Sequence, residues 1–195
     1  MNKCLDRKRR ISLLMLSLLL LAALIFTLST YAAEKPVTLS SITVGQPFYT
    51  QFSMFYENHI HKTTNYRKGS LLQVNTAVKF VKSDNDCIVV SLPDGQQLTI
   101  QNVANFSGEK IDGIFARTFS TKPQDLSVFT EAERKSIMLG EIKVGMRKAA
   151  TLVALGYPPK HKTPSLDGDR WQYWSNRFNT FVVYFSNGKV SKIQD

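Results

Sequence analysis

Residues 11–28 set the first constraint on this chain. From Ile11 to Leu28 there is no charged residue, and the ten residues before that run hold Lys3, Arg7, Lys8, Arg9 and Arg10 against one acid, Asp6. A basic flank, an apolar run and small residues at its end, here Ser29-Thr30-Tyr31-Ala32-Ala33, form the pattern of a secretory signal. Thr30 and Ala32 fit the −3 and −1 positions, so residues 1–32 are read as a signal peptide cleaved after Ala32. The alternative is an uncleaved anchor, because 18 apolar residues just suffice to cross a bilayer. Both readings send Glu34 onward out of the cytoplasm, since the basic flank stays inside.

That placement changes the meaning of the charge. The 195 residues carry a net +10. A surplus of that size suggests nucleic acid, but an exported chain does not meet it. Past Ala32 there are 20 basic and 14 acidic residues, a net +6, scattered along the sequence. A solvated surface explains that spread, and a basic patch meeting anionic lipid or an acidic envelope polymer is the sharper alternative. Cys4 precedes the apolar run, so no cysteine stands at the cleavage point to take a lipid. Cys87 is then the only cysteine left and forms no internal disulfide. Its place in Cys87-Ile88-Val89-Val90 predicts a buried small hydrophobe rather than a nucleophile.

Residues 33–46 read as a linker. From Pro47 the chain is rich in β-formers as far as Tyr56, and the polar stretch 57–69 reads as a long loop. Residues 71–82, 87–92 and 96–103 read as strands, with Pro93-Asp94-Gly95 as a hairpin turn. Short strands joined by turn chemistry predict a small β-barrel or meander over 47–120. Ile111, Ile114, Phe115 and Thr118 fall on one face of a short helix. Residues 121–135 form a second linker and the start of a helix, because Thr130-Glu131-Ala132-Glu133 is a capping box. That helix ends at Gly140. A second one, with Met146, Ala149, Ala150 and Val153 on its apolar face, stops at Gly156 before Pro158-Pro159. Strands follow at 171–174, 180–185 and 190–194, the last two joined by the turn Ser186-Asn187-Gly188-Lys189.

Several short motifs of this C-terminal part occur together. They are Gly145-Met146, Leu155-Gly156-Tyr157-Pro158, Trp171-Gln172-Tyr173-Trp174, Val182-Val183-Tyr184-Phe185 and Gly188-Lys189-Val190. In order and spacing they resemble the SmpA/OmlA (BamE-like) family of outer-membrane-assembly lipoproteins. The resemblance covers residues 136–195 and implies two helices packed on a three-stranded antiparallel sheet. It also implies an envelope protein that binds proteins or lipids and is not an enzyme. This chain lacks the family's lipidated cysteine and carries an extra β domain. The strand Val74-Asn75-Thr76-Ala77-Val78-Lys79-Phe80 is similar to one in bacterial SH3-like domains, which implies an SH3-like β domain over 47–120. The expected fold class is therefore α+β, a small SH3-like β-barrel followed by a BamE-like domain.

No Gly-x-Ser-x-Gly, HExxH or phosphate-loop motif occurs, and nothing calls for a cofactor or a metal. His59 and His61 read as two exposed loop histidines, and Asp167 and Asp169 as turn residues. The strongest contact candidates are Trp171, Tyr173 and Trp174, with Arg177 and Phe178 in the loop after them. On a strand the first two share one face and Trp174 takes the other. Most of these aromatics belong in the core, and an exposed one is a good interface anchor. The expectation is an exported, non-catalytic binding or scaffold module, periplasmic or extracellular, for an envelope protein or a peptidoglycan or lipid surface. In the uncleaved reading residues 11–28 tether it to the membrane. The alternative is a cell-wall-acting enzyme that uses Cys87.

Overall fold

Val78 and Phe80 turn inward from one strand and Leu98 and Ile100 from another, all four no more than 5% exposed. The residues between them face outward, so period-two alternation builds this sheet. A computed structural model describes residues 38–176 and 178–195 of the protein. Residues 1–32, where a signal peptide is expected, and the contact candidate Arg177 lie outside the described residues. In chain order the first strands are β1 (Pro47–Thr50), β2 (Met54–Tyr56), β3 (Ile60–Lys62) and β4 (Ser70–Leu72). They are followed by β5 (Ala77–Ser83), β6 (Cys87–Ser91), β7 (Gln97–Gln101) and the short β8 (Phe119–Ser120). Six of them form one curled sheet in the order β3-β7-β6-β5-β1-β8, while β2 and β4 pair separately.

Two helices lie between β7 and β8, a single turn α1 (Ala104–Ser107) and α2 (Ile111–Thr118). The buried face of α2 is Ile111, Ile114, Phe115 and Thr118, the face that the sequence spacing predicts. Phe115 meets Phe48 edge-on at 5.1 Å and joins the first core. Each such ring stabilises by about 2–3 kcal/mol when fully buried.

The second core belongs to α3 (Glu131–Leu139), α4 (Lys148–Leu155) and three strands, β9 (Arg170–Trp174), β10 (Thr180–Ser186) and β11 (Lys189–Gln194). The strands form an antiparallel sheet in the order β11-β10-β9. The capping box forms as expected: Thr130 Oγ1 accepts the Glu133 N–H and Glu133 accepts the Thr130 N–H. Asn187 and Gly188 both take positive φ in the β10–β11 turn, which suits the right-handed twist of its strands. Ala149 departs from the expected apolar face and is exposed. Helix α4 begins only at Lys148, so a periodicity counted from Met146 starts outside it.

Thr38 onward belongs to one compact unit, and the two cores meet along a seam. Tyr66 and Val74 come from the first half of the chain but are buried in the second core. Asn75 and the backbone of Gln124 exchange two hydrogen bonds, at 2.9 and 2.7 Å. Phe129, in the segment that reads as a linker, is 5% exposed and packs in the second core. Among the described residues no helix is long and apolar enough to cross a membrane. The described chain is thus a mixed α+β structure with a curled six-stranded sheet, a three-stranded sheet and four helices.

Candidate functional site

Strand β9 sorts its aromatics by face. Trp171 and Tyr173 are 1% and 0% exposed, so these two contact candidates belong to the core and offer a partner no surface. The Trp171 Nε1–H donates to the Leu166 carbonyl at 3.2 Å. The Tyr173 hydroxyl donates to the Gly156 carbonyl at 3.2 Å, and its ring stacks on Phe181 at 5.3 Å. Burial of both ring and hydroxyl pushes the Tyr173 pKa well up.

Trp174 turns to the opposite face and is half-buried. There it meets residues from outside its own sheet. Phe106 of α1 lies 5.6 Å away, and His161 stacks at 6.1 Å. The indole N–H of Trp174 is buried and has no acceptor among the described residues. Phe106 and Trp174 line a groove of about 700 Å³, which Ile60 of β3 also lines. Ile60 and Phe106 are each 37% exposed, an apolar surface left open in the free protein. Lys62, Lys68 and Glu57 supply its charged lining.

The loop of residues 57–69 shapes the other wall. Its polar composition predicts an irregular loop throughout, but Ile60–Lys62 pair in parallel with Thr99–Gln101 as an edge strand. Three residues in a polar stretch give no periodicity from which to read such a strand. Asn58 and His59 both take positive φ, an uncommon state for two consecutive non-glycine residues. Gly69 has φ +91°, and a Cβ there would meet the Tyr56 carbonyl oxygen. Only glycine lets the two ends of this loop approach so closely.

His61 is a correction. Instead of an exposed loop histidine it is 5% exposed, with Nδ1–H donating to the Phe55 carbonyl at 2.8 Å. Desolvation pushes its pKa down to about 4; the Phe55 bond opposes that shift and the nearby Arg117 charge adds to it. His59 remains exposed. Among the described residues no group of three or more His, Cys, Asp or Glu is placed to hold a metal ion.

Phe178 stands at the tip of the β9–β10 loop, 81% exposed. Asn176 Oδ1 shapes that tip by accepting the N–H groups of Phe178 and Asn179 at 2.9 Å. A second cavity, about 590 Å³, lies on this side between Phe178, Arg67 and Asp195. Ser175 and Asn176 line both cavities, so Trp174 and Phe178 stand on either side of a shared ridge. Arg67 is held by Asp195 at 2.9 Å and lies over the Phe181 ring at 3.6 Å.

Cys87 stands at the start of β6 and does not line either cavity, and it is half-buried rather than buried. Burial raises its thiol pKa, and the charges of Asp84 and Asp86 raise it further. Asp84 in turn accepts the Cys87 N–H at 2.7 Å, which fixes the turn before the strand.

Sequence reasoning found Trp174 and Phe178 but missed Phe106, Ile60 and His161. Phe106 lies in a one-turn helix, and its partners are distant in sequence, so no local pattern announces them. Against family models, curated proteins and solved structures, the chain finds no match.

Proposed function

We propose that this is an exported, non-catalytic protein of the cell envelope, a binding or scaffold module for a protein partner or a cell-wall or membrane component. The observation that carries this reading is the open groove in which Ile60, Phe106 and Trp174 stand among polar and charged residues, with Phe178 beside it. Half-exposed aromatics at the edge of a rigid sheet are the anchors that interfaces use. The basic flank and apolar run of residues 1–28 support export to the periplasm or beyond.

Two helices against a three-stranded antiparallel sheet agree with the BamE-like resemblance of residues 136–195. The curled sheet agrees with an SH3-like reading of 47–120. The setting of Cys87 supports binding over cysteine catalysis, because a reactive cysteine needs its thiol pKa lowered by a nearby cation.

The test is affinity capture from envelope extracts with the wild type, Trp174→Ala and Phe178→Ser side by side. A partner retained by wild type and lost from Trp174→Ala, with the variant's melting curve intact, supports the reading. An unchanged partner set in both variants removes the groove and its ridge from the interface.

A further inference from the structure

We propose that the groove takes an extended, acidic peptide segment with one apolar anchor side chain, which rests on the binding-module reading above. Charge argues for acidity. Lys62 and Lys68 line the groove, and among the described residues neither has a carboxylate partner. Lys162, next in sequence to His161, is exposed as well. Lys160 is bound to Glu109 at 3.2 Å, which leaves Glu57 as the acid that faces these cations. A partner with several carboxylates complements this surface and a basic one opposes it.

The apolar part of the lining argues for an anchor. Ile60, Phe106 and Trp174 stand along a groove of about 700 Å³, within the range that holds a compact ligand group. The backbone argues for an extended peptide. Alternation along β9 directs the main-chain groups of Gln172 and Trp174 away from β10. The Gln172 N–H is already taken by Thr163 Oγ1 at 2.9 Å. At Trp174 the edge reaches the groove, where a peptide lying alongside adds to the sheet.

Asn65 shapes the groove from within its own loop: its Nδ2 donates to the Phe55 and Lys68 carbonyls, and its Oδ1 accepts the Lys68 N–H. Asn176 Oδ1 is spent on the β9–β10 loop. The indole N–H of Trp174 is buried, so it is closed to the occupant.

The test is fluorescence anisotropy with protein purified from the envelope fraction. The probe is a labelled peptide of about ten residues, glutamate-rich with one central phenylalanine. Its controls replace every Glu by Gln, or the Phe by Ser. The proposal expects the acidic probe to bind at least about tenfold more tightly than either control. The double variant Lys62→Glu, Lys68→Glu, with an unchanged melting curve, is expected to lose that advantage. Equal affinity for the Glu and Gln peptides, or full binding by the double variant, overturns it. Soluble cell-wall glycan fragments and anionic lipid vesicles run in parallel. Binding of either that Trp174→Ala abolishes, without peptide binding, overturns the peptide class and leaves the groove reading standing. No binding of any probe, together with partner capture that Trp174→Ala leaves unchanged, takes down both.

Discussion

The hydroxyl of Ser53 donates to the Ile137 carbonyl at 2.8 Å, joining the bend between β1 and β2 to helix α3. The same oxygen accepts the Val74 N–H at 3.1 Å, and the Ser53 N–H donates to the Val153 carbonyl at 2.9 Å. Ser53 is 1% exposed, so water cannot replace these bonds. Ser53→Ala leaves the buried Val74 N–H unpaired and takes one of two donors from the Ile137 carbonyl, which keeps the Gly140 N–H, and is expected to cost about 1–3 kcal/mol. Urea denaturation measures it; an unchanged midpoint would show that the seam does not depend on this hydroxyl.

His61 predicts a loss of stability in mild acid. Its pKa is about 4 in the fold against an ordinary 6.5, so the folded chain holds it neutral where the unfolded chain takes up a proton. The contribution is therefore complete above pH 6.5 and declines as pH falls to about 4. Across that window the loss amounts to about 3 kcal/mol. His61→Gln keeps an amide donor for the Phe55 carbonyl but cannot titrate. Urea midpoints for wild type and variant at pH 7 and pH 4.5 should therefore converge in acid. A gap of constant size would contradict the burial of a neutral imidazole.

Glu133 acts at lower pH. Its carboxylate, 6% exposed, accepts the Arg147 Nη2 at 2.6 Å and the Arg147 Nε and backbone N–H at 2.9 Å each. The Arg147 side-chain bond is the largest cause that holds its pKa down at about 2; burial opposes it. This stabilisation is present above the ordinary value of 4.5 and is lost as pH falls to about 2. Glu133→Gln removes the ion pair and weakens the cap of α3, with an expected cost of about 2 kcal/mol once the partly exposed arginine is taken into account. A thermal melt at pH 7 that matches wild type would refute it.

Cys87 should be a slow nucleophile. With its thiol pKa raised by burial and by Asp84 and Asp86, little thiolate exists at neutral pH. A disulfide-exchange reagent at pH 7.5 is expected to react more slowly with native protein than with the urea-unfolded chain. Rapid reaction in the native state would revive the reading of Cys87 as a catalytic residue.

Local patterns were legible in the sequence where one element supplied the whole signal. The capping box of Thr130 and Glu133, the buried face of α2 and the Asn187-Gly188 turn each depend on a few adjacent residues. The groove was not legible because its walls come from β3, α1, β9 and the loop after β3. The hydrogen bond that buries His61 runs to Phe55, across a turn with two positive-φ residues that no composition rule marks. Trp171 and Trp174 look alike as residues, and only the side of β9 on which each falls separates core from surface.

The seam also bears on how this chain is made. Tyr66 and Val74 are translated before every other member of the core they complete. A chain that emerges from its N-terminus holds both exposed until Trp171, Phe181 and Val190 have followed. The curled sheet can close early, but the second core waits for the last strands. A chain truncated before β10 would therefore lack Phe181, Val183, Phe185 and Val190 and leave the rest of the second core, Tyr66 and Val74 included, open to water, a clear target for the proteases that clear incomplete proteins.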